Sequence, residues 1–144
     1  MYEQIILDLD DYEKKNNAGK IGLIHGDTVL TNIIFNQFEK VKLIDMRGYI
    51  DGQLSIFGDI FYDWAKLYQS LIGYDEILNG KFISKNYKDN IISHFKTYFI
   101  KLHGKNNFKN LKLLTKSLLF SLIPLHNNHN CLKFYELITS EYLN

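Results

Sequence analysis

Ile5, Ile6, Leu9 and Tyr12 stand at helical spacing with Asp8, Asp10, Asp11 and Glu13 among them, which predicts an amphipathic helix over residues 2 to 15. Asn16 to Lys20 reads Asn-Asn-Ala-Gly-Lys, a stop-and-loop signal. Ile21 to Ile24 is a short apolar run expected to form a buried strand, and His25 to Thr31 a polar loop. Ile33 to Phe35 and Val41 to Ile44 are β-branched runs, and Asn36 to Lys40 between them reads as a hairpin turn. Arg47 to Gly58 holds Gly48, Gly52 and Gly58 and is expected to be a loop. From Asp59 to Leu71 the apolar residues Phe61, Trp64, Ala65, Leu67, Tyr68 and Leu71 predict a helix, with Asp59 as its cap. Three more helices are expected over about 87–102, 108–122 and 131–142, the first ended by Gly104 and the second by Pro124. The fold class is therefore α+β, mainly helical, with a small β-hairpin, and residues 1–144 read as a single domain without internal repeat or linker.

Composition narrows the function classes. With 46% hydrophobic residues, 10 Tyr and 10 Phe, the chain can build a core. A net charge of +1, from 17 basic and 16 acidic residues, gives no electrostatic case for nucleic acid. The apolar runs, such as Leu118 to Pro124, are too short for a bilayer, so no membrane partner is expected. The amino terminus shows no basic-then-apolar signal segment, and the single Cys131 allows no internal disulfide, so a cytoplasmic setting is expected.

Polar clusters gather around the hairpin: His25-Gly26-Asp27, then Asn32, then Asp45-Met46-Arg47-Gly48, then Gly58-Asp59 with Asp63. A hairpin closed by the Asn36–Lys40 turn puts Asn32 and Asp45 at its open end, and the loop carrying Asp27 returns to that end. Two carboxylates and an amide facing one cavity suit phosphoryl transfer. That reaction needs Mg²⁺ held against nucleotide phosphates and a carboxylate to accept the proton of the attacking hydroxyl.

The segment Ile24-His25-Gly26-Asp27-Thr28-Val29-Leu30-Thr31-Asn32-Ile33-Ile34 resembles the catalytic loop of the aminoglycoside phosphotransferase and choline kinase superfamily, of protein-kinase-like fold. Leu43-Ile44-Asp45 resembles its metal-binding strand end, and Gly58-Asp59-Ile60-Phe61-Tyr62-Asp63-Trp64-Ala65-Lys66-Leu67 its following helix start. Ile60 stands where the family usually has Pro, and Trp64 where Leu is common. The resemblance covers residues 22 to 68, and its three motifs agree in order and approximate spacing. It implies Asp27 as catalytic base, Asn32 as a catalytic-loop residue and, with Asp45, a ligand of Mg²⁺. It also implies that His25 orients the loop, and that Asp59 and Asp63 support loop and helix.

Kinase-fold enzymes also carry a glycine-rich loop and a strand lysine upstream. Only 24 residues precede His25 and they hold no such pattern, so the chain is expected to be a carboxyl-terminal catalytic lobe with the nucleotide lobe absent. The implied activity is an ATP- or GTP-dependent phosphotransferase acting on a hydroxyl of a small molecule: a sugar, an amino alcohol or an aminoglycoside. The isolated chain is expected to be inactive, with a missing lobe or a second copy as partner. Tyr74, Asp75 and Glu76 lie near the expected acceptor side. The alternative is a non-catalytic pseudoenzyme or protein-interaction module built on that lobe. The His126-Asn127-Asn128-His129 stretch lacks a third metal ligand at usable spacing and reads as a solvated loop.

Overall fold

The computed structural model describes residues 1–14, 21–38, 40–50, 52–126 and 128–144. The segment 16–20, expected to be a loop, lies outside the described residues. The protein is mainly helical with a small β component. In chain order the elements are α1 (Tyr2–Lys14), β1 (Ile21–Leu23), a 3₁₀ turn (Leu30–Asn32), β2 (Ile33–Phe35), β3 (Val41–Leu43), β4 (Tyr49–Ile50), β5 (Gln53–Leu54) and β6 (Phe57–Asp59). The helices α2 (Ile60–Ile72), α3 (Tyr74–Asn79), α4 (Lys85–His103), α5 (Lys105–Leu122) and α6 (Asn128–Ile138) follow, with a second 3₁₀ turn (Ile123–Leu125) before α6. Among the described residues no helix is long and apolar enough to cross a membrane.

The core is helical. Ala65, Tyr68 and Ile72 on α2 pack with Ile92 and Phe99 on α4, Leu111 and Leu119 on α5, and Phe134 and Ile138 on α6. Aromatic rings fill much of it. Trp64 meets Phe95, Phe99 and His103, and Tyr68 stacks on Phe95 with centroids 5.2 Å apart. Helix α1 lies against α5 with Ile5 and Tyr12 buried. The Tyr12 hydroxyl donates to Asp59 Oδ2 at 2.6 Å. Asp59 also caps α2, its Oδ1 accepting from the Phe61 amide at 2.8 Å.

The strands form three separate two-stranded antiparallel pairs: β1 with β6, β2 with β3, and β4 with β5. The β2–β3 hairpin has the expected register, Ile33 opposite Leu43 and Phe35 opposite Val41. Its turn is held by Asn36 Oδ1, which accepts from the Phe38 and Lys40 amides at 3.0 Å each.

Three readings need correction. Arg47 to Gly58 is not a plain loop, because it carries β4, β5 and the first residues of β6; Gly52 lies in the turn between β4 and β5, Gly58 lies within β6, and the short strands show no alternation long enough to read. The run Ile21 to Ile24 is not a buried strand. Side chains alternate across a strand, so Gly22 and Ile24 face inward while Ile21 and Leu23 are 77% and 68% exposed. Gly22 sits opposite Gly58, and a Cβ on either would stand 2.7 Å from Ile60 or 2.5 Å from Ile24. Finally, α3 was not foreseen, and α6 ends at Ile138, with turns completing the segment expected to be helical to 142.

Candidate active site

Helix α2 organises the site. Asp63, Lys66 and Ser70 lie at i, i+3 and i+7, along one face of the helix. Asp63 Oδ2 accepts from the His25 amide at 2.6 Å and Oδ1 from the Gly26 amide at 2.8 Å. The Thr28 hydroxyl donates to the Asp63 carbonyl at 2.5 Å. Lys66 Nζ stands 3.2 Å from Asp27 Oδ1. The Leu30 amide donates to Ser70 Oγ at 3.2 Å. Residues 25 to 30 are thus laid along about 10 Å of helix and held turn by turn.

Asp27 is gripped on both oxygens, Lys66 at Oδ1 and Asn32 Nδ2 at Oδ2, 3.0 Å away. The same Asn32 nitrogen reaches the Asp27 carbonyl at 2.9 Å. Two acceptors on one side of Asn32 require its NH₂ group there, which turns Oδ1 the other way. Asn32 is buried, and so is Lys66, while Asp27 is partly open to solvent. His25 Nδ1 accepts from the Asp27 amide at 3.3 Å, bracing the loop from behind.

Asp45 follows β3. The Ile44 amide donates to the Asn32 carbonyl at 3.0 Å, so Asp45 leaves the hairpin at the end where Asn32 enters it. Asp45 is exposed and adopts φ 57°, left-handed backbone unusual for a residue with a Cβ. Two residues on, the Arg47 amide donates to the His25 carbonyl at 2.9 Å, docking this loop onto the one that carries Asp27. Arg47 is fixed in turn by a 2.8 Å hydrogen bond to the Tyr62 hydroxyl. The close approach needs Gly26, which has φ 80° and whose Cβ would lie 2.8 Å from Arg47 Cβ. The backbone therefore brings Asp27, Asn32 and Asp45 to one end of the hairpin, with Asp63 and His25 behind them and Asp59 at the start of α2.

Lys66 and Ser70 escaped the sequence reading because each sits in an apolar helical stretch where a polar residue reads as surface. Their signal was the spacing from Asp63. The neighbouring Tyr74 and Asp75 lie within electrostatic reach of Asp27. Burial pushes the Asp75 carboxyl up from its ordinary value, and the Asp27 charge adds to the rise. Ser70 and the Leu30 amide stand beside it and favour its charged form without closing a regular hydrogen bond to either oxygen. Burial, then the charges of Asp27 and Asp75, push the Tyr74 hydroxyl up.

Among the described residues no three His, Cys, Asp or Glu side chains are gathered as a metal site. The available oxygen donors at the hairpin end are the Asn32 amide and the Asp45 carboxylate, a set suited to a hard cation that draws other ligands from phosphate and water. Comparison with family models, with curated proteins and with solved structures finds no match to the chain.

Proposed function

We propose that the protein is an ATP- or GTP-dependent phosphotransferase of the aminoglycoside phosphotransferase and choline kinase type, acting on a hydroxyl of a small molecule. The observation that carries this reading is the Asp27 carboxylate, tied by Asn32 and Lys66 and partly open to solvent, at the hairpin end where Asp45 emerges. In the reaction Asp27 accepts the proton of the acceptor hydroxyl as its oxygen bonds to the γ-phosphorus. The bond from that phosphorus to the bridging oxygen breaks and the nucleoside diphosphate leaves. Asp27 keeps lone pairs for this, because Lys66 and Asn32 occupy only one site on each oxygen. Asn32 and Asp45 would hold Mg²⁺, which when bound neutralises charge on the phosphates. Asp63 and His25 fix the loop so that Asp27 does not have to be ordered during the reaction.

Two measurements test it. Mn²⁺ with ATP or GTP should broaden the NMR signals of Asn32 and Asp45, and Asp45→Asn should abolish this; broadening centred elsewhere refutes the metal assignment. Chain supplied with a glycine-rich nucleotide-binding segment of this fold should consume nucleotide only with an acceptor sugar, amino alcohol or aminoglycoside. Asp27→Asn should lower that rate about 10²–10⁴-fold.

A second reading, a non-catalytic interaction module, is favoured by the apolar side chains that β1, β5 and β6 leave in solvent, Ile21, Leu23, Leu54 and Phe57. Nucleotide consumption that never depends on an acceptor, together with unchanged spectra on adding Mn²⁺ and nucleotide, would select it.

A further inference from the structure

Lys66 stands within the segment that resembles the family's helix start, but the resemblance assigns it no role. It is the one member of the α2 stripe whose own side chain grips a side chain of the catalytic loop. The Asp63 and Ser70 side chains hold backbone groups, whereas Lys66 reaches the Asp27 carboxylate itself. The geometry around that carboxylate is two-sided. Asn32 alone, at Oδ2, leaves the group free to turn about its Cβ–Cγ bond, because a carboxylate torsion is broad and roughly two-fold. A second contact at Oδ1 fixes the plane. The ammonium that makes it is confined, since the Lys66 side chain is only 9% exposed. A lysine at the surface would choose water over a geometry this specific, and its four-carbon stem would remain mobile.

We infer that Lys66 is a positioning residue of the phosphotransfer site: it sets the plane of the Asp27 carboxylate, so that a lone pair meets the acceptor hydroxyl. The inference rests on the proposed reaction for its purpose, but not for its geometry. A purely structural lysine would neutralise charge at the helix–loop contact and leave the orientation of Asp27 to Asn32. The two roles differ in what happens to Asn32 when Lys66 is replaced.

The test uses the chain itself, with ¹⁵N-labelled Asn side chains. In Lys66→Met the Asn32 NH₂ resonances should shift and their exchange with water should quicken several-fold, while the His25 and Gly26 amides, held by Asp63, keep their shifts. Lys66→Arg, which restores a cation at Asp27, should bring the Asn32 signals back toward the parent. If Lys66→Met does not fold, Lys66→Gln carries the same comparison. Asn32 resonances unmoved in a folded Lys66→Met or Lys66→Gln protein overturn the inference, whatever the protein catalyses. In the nucleotide-supplied assay Lys66→Met should lower kcat roughly 10- to 100-fold with the acceptor KM within about twofold, and Lys66→Arg should recover part of it. An unchanged kcat also overturns it. A parent protein without acceptor-dependent turnover refutes the phosphotransfer reading alone; the Asn32 response still decides the role of Lys66.

Discussion

Truncating Asp27 and truncating Lys66 should have unequal effects on stability, although they break the same ion pair. The Nζ–Oδ1 separation is 3.2 Å, with 9% of the Lys66 side chain and 36% of the Asp27 side chain exposed. Asp27→Ala leaves an ammonium embedded beneath the loop without its counter-charge. Removing one partner of a fully buried pair costs about 3–5 kcal/mol. The open Asp27 end lets water into the vacated space, and an exposed pair is worth only about 0–1 kcal/mol, so the expected loss lies between, near 2 kcal/mol. Lys66→Met removes the embedded charge, keeps most of the stem volume and leaves Asp27 with water and Asn32, so its effect should stay within about 0.5 kcal/mol of zero. Urea unfolding followed by circular dichroism at a helical wavelength reads the difference. With a slope of about 2 kcal/mol per molar, Asp27→Ala should lower the midpoint by about 1 M and Lys66→Met should barely move it. The double variant should recover most of the Asp27→Ala loss, because the stranded charge is gone. Equal losses for the two single variants, or a double variant as unstable as their sum, would refute the reasoning.

Asp59→Ala removes both the cap of α2 and the acceptor of the Tyr12 hydroxyl, and should cost about 1–2 kcal/mol in the same unfolding assay. Gly26→Ala places a Cβ 2.8 Å from Arg47 at φ 80° and should cost at least about 1 kcal/mol, with the Arg47 amide, bonded to the His25 carbonyl, shifting in the NMR spectrum. Asp75 has a folded-state acidity weakened by burial, so its stabilising contribution is complete below its ordinary pKa of 3.8 and is lost as pH rises through the raised folded value. Asp75→Asn should therefore be more stable than the parent at pH 7, with the gain shrinking as the pH falls toward 3.8; a gain independent of pH would exclude the titration as its cause.

The sequence made the helices legible where an apolar stripe faces a core. Phe61, Ala65 and Tyr68 announce α2 because every one of them is buried. The hairpin was legible from its β-branched runs and from Asn36, whose side chain bonds two amides of the turn. The short strands β4 and β5 have two residues each, below any readable period, and α3 has six between Gly73 and Gly80. Ile21 and Leu23 misled because apolar character was read as burial, whereas the inward positions of β1 are Gly22 and Ile24. At the site, Asp27, Asn32 and Asp45 could be picked out because acidic and amide residues flanked short strands. Lys66 and Ser70 were harder to pick out, since their partners lie 39 or 40 residues away in the chain and only the spacing from Asp63 marks them locally.

The left-handed backbone of Asp45 has a consequence for anyone who tries to improve this protein by selection. A residue with a Cβ at φ 57° carries a local conformational cost of about 1 kcal/mol that glycine would not. The Asp45 side chain is exposed, so its loss leaves no hole in the core to offset that relief. A library sorted only for resistance to heat should therefore accumulate Gly at position 45, with Asn next because its short amide tolerates the same conformation. The most durable clones would be those that had discarded the carboxylate at the mouth of the hairpin.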